Sequence, residues 1–383
     1  MTNVAENIFW FASFIVIYSY VIYPMILITA DQLFPSKLFL RSEDQPNVSI
    51  VIAAYNEEKV IERRIQNCLA LDYPRDKLEV IIASDGSSDK TDEIVEQFKD
   101  QGVKLLGHEN RRGKVNVLNE VVPQAKNDIV IFSDANTMFA RDSVKKIVQY
   151  FADSRIGCVC GCLQFVNADG SKTGELEGIY WRYETMLKKL EGKRGALLGA
   201  NGAIFAIRKN LFHECPADTI IEDFVLPMKI LESGFKVVYD VEAMALEEAA
   251  HKIIHEKERR IRIGAGDFQA LSRLWRMLDP RRGFPALAFL SHKVLRWFAP
   301  FFLVFAFASN IFLVSQPLYL FIFFLQCLFY SFAFVGQVLS WSGVNTRIFG
   351  IAYYFVSMNL ALFLGLIRFL TNTQKVAWRR TER

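Results

Sequence analysis

The run from Ile8 to Ala30 contains no Lys, Arg, Asp or Glu, and about 20 apolar residues in a helix are enough to cross the core of a bilayer. Hydrophobic residues make up 52% of the chain, more than a water-soluble domain usually carries. The surplus is uneven. Charged residues fill positions 41 to 283, whereas the first 40 and last 100 residues are dominated by Phe, Leu, Ile, Val, Ala and Tyr. This is the pattern of a soluble domain between membrane anchors. Residues 1–40 are expected to form an N-terminal anchor, 41–264 the soluble domain, 265–297 an amphipathic interfacial segment, and 298–383 a C-terminal membrane region with a basic tail.

Met1 to Asn7 has no Lys or Arg and the apolar run that follows is long, so the segment reads as an uncleaved anchor rather than a secretory signal. Lys37 and Arg41 on its far side place the N-terminus outside and the next domain in the cytoplasm of an inner membrane. Further spans are expected near Phe298 to Val314, Leu318 to Leu339 and Ile348 to Leu370. Three such crossings would leave Lys375, Arg379, Arg380 and Arg383 outside, against the same rule, so one candidate is expected not to cross alone. Before them, "DFQALSRLWRMLDPRRG" mixes Phe268, Leu271, Leu274, Trp275 and Leu278 with Arg273, Arg276, Arg281 and Arg282. It reads either as a helix in the lipid headgroup layer or as a solvated surface helix.

A net charge of +4, with no interleaved run of basic and aromatic residues, argues against a nucleic-acid partner. "CVCGC" sets Cys158, Cys160 and Cys162 on one face of a strand rather than around a metal. The five histidines form no metal or triad pattern; His251 and His255 lie one helical turn apart without the Glu of an HExxH site.

From Val48 the pattern alternates: "VSIVIAA", a helical run after Glu57, "LEVIIASD", a helix from Asp89, "VKLLGH", a helix from Lys114, and "DIVIFSD". This predicts an α/β domain with a mainly parallel, doubly covered sheet, in which ligands gather beyond the carboxyl ends of the strands. There stand Tyr55, Asn56 and Glu57; Asp85 and Gly86; and Asp134, Ala135 and Asn136.

"SDGSSDKT" places Asp85 in a turn of small residues, either a plain strand-to-helix turn or a carboxylate offered to a base or ribose. Asp134 in "FSDANT" ends a buried strand, where a carboxylate is costly unless it is paired or binds a metal. With Asn136 it suits Mg²⁺ or Mn²⁺ bridging a diphosphate; helix capping is the other use. In "IIEDFVLP", Glu222 and Asp223 diverge, so one can act as general base while the other holds its neighbour, or both complement a helix dipole. Arg259, Arg260 and Arg262 in "EKERRIRIGAGDF" suit phosphate oxygens, or a solvated face. Lys114 in "NRRGKVNVLN" is a donor-side candidate of the same kind.

Taken in order, "AAYNEE", "SDGSSDKT", "RRGKVNVLN", "SDAN", "GANGAIF", "IIEDFVLP" and "RRIRIGAGDF" resemble the motif series of inverting family 2 glycosyltransferases of the GT-A fold. The resemblance covers about Val48 to Phe268, and the anchors are similar to those of cellulose, chitin, hyaluronan and poly-N-acetylglucosamine synthases. It implies a Rossmann-like catalytic domain between transmembrane helices, a nucleotide-sugar donor, most simply a UDP-sugar, and a divalent metal. It also implies a polysaccharide or glycan acceptor and contact with membrane lipids; it names no protein partner.

On that resemblance Asp85 holds the nucleotide with Tyr55 and Glu57 at the base, and Lys114 lies on the donor side. Asp134 and Asn136 occupy the DxD metal position, with Asn136 departing from the second aspartate. Asp223 is the catalytic base of the ED pair beside Glu222. "RRIRI" aligns with QxxRW: Arg262 matches its arginine, while Arg259 replaces the glutamine and Ile263 the tryptophan, which removes a stacking surface for an acceptor sugar. A transferase adding one sugar to a lipid-linked sugar or polyprenyl phosphate shares all these motifs. A non-catalytic membrane scaffold would need Asp85, Asp134 and Asp223 all to be structural.

Overall fold

The computed structural model describes residues 2–35, 39–166, 175–248, 253–342 and 346–374, without the side chains of 2, 175–180, 253–256 and 347. Lys37, His251, Lys375, Arg379, Arg380 and Arg383 and the side chain of His255 therefore lie outside the described residues. The chain divides into a helical unit, from Met1–Phe34, Gly174–Glu184 and Lys252–Gln374, and a sheet unit, mostly Pro35–Thr173 and Thr185–His251.

In the sheet unit eight strands are described: β1 (Val48–Ala54), β2 (Leu78–Asp85), β3 (Val103–His108), β4 (Ile129–Asp134), β5 (Met138–Phe139), β6 (Ile156–Val166), β7 (Phe205–Arg208) and β8 (Lys236–Glu248). They form one sheet in the order β3-β2-β1-β4-β7-β6-β8-β5. β3, β2, β1 and β4 run parallel, linked by the helices Ile61–Leu69, Thr91–Glu96 and Lys114–Gln124. Ile50, Val51, Ile52, Ile81, Ile82 and Ile131 are fully buried, as continuous apolar strands covered on both faces require.

The chain moves outward from β1 through β2 to β3, then returns to the other side of β1 as β4. That reversal makes a crevice between the carboxyl ends of β1 and β4. β7 runs antiparallel to β4, Phe132 facing Phe205 with the rings stacked at 4.5 Å. The segment entering β7 therefore lies just beyond Asp134. Cys158, Cys160 and Cys162 are buried free thiols on β6, and burial pushes the Cys160 thiol up to about 11.

Among the described residues of the helical unit three helices are long and apolar enough to cross a membrane: Asn3–Leu33, Pro317–Trp341 and Ile348–Leu370. They expose Phe11, Phe14, Phe321, Phe324 and Phe334, whereas Asn310 is buried and donates to Gln326. The span expected near Phe298 to Val314 is different. Helix Ala299–Ile311 has 13 residues, about 20 Å, short of a core about 30 Å thick, and is bent by 58° from Phe284–Trp297. Pro300 opens it, and a proline has no N–H to continue the preceding turn. The candidate spans number three, or four if the bent pair is one span.

Helix Ile253–Leu274 also belongs to the helical unit. Gly264 and Gly365 explain this: a Cβ at Gly365 would lie 2.6 Å from the backbone of Gly264 and Ala265, an approach between helices that only small residues allow. Along the expected interfacial segment Phe268 and Leu274 are buried, while Trp275 is 62% exposed.

Candidate active site

Asn56 turns the chain after β1 with φ of 55°, which Asn tolerates better than most residues. Its side-chain carbonyl accepts the Ser88 N–H at 2.7 Å and its amide donates to Ser88 Oγ at 3.2 Å. Glu57 N–H donates to Thr91 Oγ1, and Asp89 accepts the Thr91 and Glu58 N–H groups. The loops after β1 and β2 are thus one hydrogen-bonded body, carrying Tyr55, Glu57 and Asp85 together.

Asp85 is 6% exposed, and its carboxylate is already engaged. Oδ1 accepts the Arg112 and Gly113 N–H groups at 2.7 and 2.9 Å, and Gly113 also reaches Oδ2 at 3.0 Å. The Arg111 guanidinium, 3.8 Å from Oδ2, lies 3.9 Å above the Tyr55 ring. Gly86 makes the arrangement possible: its φ is +68°, and a Cβ there would meet Arg111 N and Asn110 C at 2.6 Å.

The same turn delivers Lys114 at the start of its helix. Its Nζ bridges Asp134 Oδ1 at 2.9 Å and Glu222 Oε1 at 2.8 Å, all three side chains being largely shielded. Burial works to lower the Lys114 pKa, but Asp134 and Glu222 together outweigh it and raise it. The lysine is a fixed cation, expected on the donor side and found clamped between two of the expected carboxylates.

Asp223 stands in the first turn of helix Glu222–Glu232, diverging from Glu222 as adjacent residues do. Its Oδ2 accepts the Gly202 N–H at 3.1 Å and its carbonyl the Ala200 N–H at 2.9 Å. Gly202 lacks a side chain where two acids converge: a Cβ there would lie 3.2 Å from Asp223 Oδ2 and 3.7 Å from Asp134 Oδ2. Asn201 beside it is held by Lys188 Nζ at 2.6 Å and donates to the Gly161 carbonyl.

Asn136 donates to Glu247 Oε1 at 2.6 Å, a partner in β8 that no local pattern indicated. Among the described residues no group of three His, Cys, Asp or Glu side chains forms a metal cage. Mg²⁺ and Mn²⁺ at phosphate-transferring sites commonly rest on one or two carboxylates plus phosphate oxygens, and Asp134 beside Asn136 fits that sparser donor set. Arg259 and Arg262 lie on helix Ile253–Leu274 of the helical unit, Arg259 exposed and Arg262 half-buried.

The structure thus brings Tyr55, Glu57, Asp85, Lys114, Asp134, Asn136, Glu222 and Asp223 to the carboxyl edge of one sheet. Residues 49–215 match the family model for glycosyl transferase family 2. This part of the chain is thus similar to glycosyl transferase family 2.

The chain is 28% identical over 254 residues to a poly-beta-1,6-N-acetyl-D-glucosamine synthase of Staphylococcus epidermidis, covering 64% of this chain and 61% of that one. It is 26% identical over 259 residues to the synthase of Staphylococcus aureus strain COL, covering 66% and 62%. The chain therefore spans about three fifths of the length of these curated relatives. Among solved structures, mannosyltransferase PcManGT from Pyrobaculum calidifontis, in complex with GDP-Man and Mn²⁺, matches with a TM-score of 0.74 at 20% identity, over 96% of this chain and 99% of that one. The chain thus has the GT-A fold expected from its motifs.

Proposed function

We propose that the chain is an inverting, metal-dependent glycosyltransferase that moves a sugar from a nucleotide-sugar donor, first to be sought among UDP-sugars, to a glycan acceptor at the cytoplasmic face of a membrane. The observation that carries this is the convergence of Asp134 Oδ2 and Asp223 Oδ2 on Gly202, in the crevice where such sheets bind ligands. Tyr55, Glu57 and the Asp85-anchored turn with Arg111 form the nucleotide side. Asp85 holds that turn in shape and keeps lone-pair capacity on Oδ2 for the donor.

Asp134 and Asn136 would hold a divalent ion such as Mg²⁺ or Mn²⁺, which would supply Lewis-acid stabilisation of the departing nucleoside diphosphate. Asp223, aimed by the Gly202 N–H, takes the proton of the acceptor hydroxyl. The hydroxyl oxygen then bonds to the anomeric carbon as the carbon–oxygen bond to the diphosphate breaks on the opposite face. Glu222 is not the base in this scheme: it would first have to give up the Lys114 ammonium. Arg259 and Arg262 are assigned to the diphosphate or the acceptor.

The names of the curated relatives favour a polysaccharide product. The departure of "RRIRI" from QxxRW favours the second reading, one sugar added to a lipid-linked acceptor. Purified protein in lipid nanodiscs, given UDP- and GDP-sugars with Mg²⁺ or Mn²⁺, is expected to transfer sugar from one donor only when metal is present. A product ladder supports a synthase and a single adduct the one-step enzyme; no transfer from any donor contradicts both.

Arg41 follows the first span, and the bent Phe284–Ile311 region is read as re-entrant, leaving Pro317–Trp341 and Ile348–Leu370 to cross. The basic residues after 374 then return to the side of the catalytic domain, as the charge rule favours. A reporter fused after residue 374 is expected to read cytoplasmic, and an external reading would restore the third crossing.

A further inference from the structure

Arg64, on helix Ile61–Leu69, is 0% exposed and makes no salt bridge among the described residues. A buried cation without a paired carboxylate is costly, and its Nε has no hydrogen-bond partner. Burial lowers its pKa, with Cys68 and Asp134 opposing. Its other two nitrogens are both engaged. Nη2 donates to Ser133 Oγ at 2.9 Å, and Nη1 to Asn67 Oδ1 at 2.7 Å. Asn67 in turn brackets Phe139 of β5, accepting its N–H at 2.8 Å and donating to its carbonyl at 3.0 Å. The guanidinium also lies 4.3 Å from the centre of the Phe139 ring.

Ser133 passes the constraint on. Its Oγ lies 2.9 Å from the Ala203 carbonyl, to which it donates. Ser133 precedes Asp134, and Ala203 follows Gly202, whose N–H holds Asp223. The relay from Arg64 through Ser133 to Ala203 therefore ties the strand that carries Asp134 to the segment whose Gly202 amide holds Asp223, and does so at a fully buried side chain. We infer that Arg64 is a positioning residue of the transfer reaction, setting the spacing between Asp134 and the Gly202 amide that aims Asp223. This rests on the reading of Asp223 as the base.

The test uses the full chain in lipid nanodiscs and the variants Arg64→Lys, Ser133→Ala and their combination. Amide hydrogen exchange is followed in 129–136 and 199–204, with 78–86 in β2 as reference. Exchange in the first two segments should rise about 10-fold in each variant, while the reference moves less than about 2-fold. In kinetics the positioning role predicts a loss in kcat on the order of 100-fold with donor KM within about 3-fold. The double variant should be no worse than the more severe single one, because both break one relay. Unchanged exchange in the two segments overturns the inference, whatever the activity of the parent protein. So does a kcat per folded molecule equal to that of the parent, or losses that multiply in the double variant. A parent that transfers nothing from any donor would sink the functional reading, and the exchange measurement would still decide whether Arg64 couples the two segments.

Discussion

Asp223→Asn is expected to lower sugar transfer by about 10³-fold, within the range that a positioned general base contributes, while nucleotide affinity changes by less than about 3-fold. The amide oxygen of Asn can still accept the Gly202 N–H that Asp223 Oδ2 accepts at 3.1 Å, so the loop entering β7 keeps its place. What the substitution removes, in the proposed reaction, is the ability to take a proton from the acceptor. The comparison with Glu222→Gln is informative because the two residues are adjacent but differently engaged. Glu222 is paired with the Lys114 ammonium at 2.8 Å, whereas Asp223 is aimed at the space beside Gly202 by a neutral amide. Steady-state transfer and equilibrium binding of UDP, measured on the same preparations, check the split. Near-normal turnover by Asp223→Asn would move the base elsewhere, with Glu222 the first residue to examine.

Asp134→Ala is expected to act on the other half of the reaction. It should weaken metal-dependent nucleotide binding by on the order of 100-fold, at least as much as losing a residue that merely supports a metal ligand. Metal-independent binding through the Tyr55 and Asp85 side should be largely kept. Asp134 is committed twice, with Oδ1 on Lys114 at 2.9 Å and Oδ2 turned toward Gly202. Removing it therefore also leaves Lys114 with Glu222 as its remaining anionic partner in the bridge. Titrations of UDP with and without Mn²⁺ separate these effects. A variant whose UDP affinity still rises with Mn²⁺ as in the parent would show that the metal rests on other residues.

The strand ends were legible because they depend on local pattern. Continuous apolar runs had to be buried strands, so Asp85 and Asp134 at their carboxyl ends had to share an edge, and both do. The "ED" pair at a helix start was equally local. What the sequence did not reveal is tertiary. Lys114 was assigned to the donor by its residue type, yet its clamp between Asp134 and Glu222 depends on three segments meeting. Nothing near Asn136 pointed to Glu247, over a hundred positions away, and nothing in "IERRIQN" distinguished the fully buried Arg64 from its exposed neighbour Arg63. Gly202 was visible inside "GANGAIF", but not the reason for it, which is the closeness of two acids. The candidate near Phe298 to Val314 is apolar enough for a crossing helix, but the bend of 58° before it, at Pro300, makes it a span only if the bent pair counts as one.

The most direct test of the central claim is the anomeric configuration of the first product, read by NMR from the proton–proton coupling at C1. With a donor whose sugar is α-linked to its diphosphate, a single displacement driven by Asp223 predicts a β-linked product. An α-linked product would mean retention, and with it two displacements or a front-side attack that this pairing of Asp134 and Asp223 does not provide.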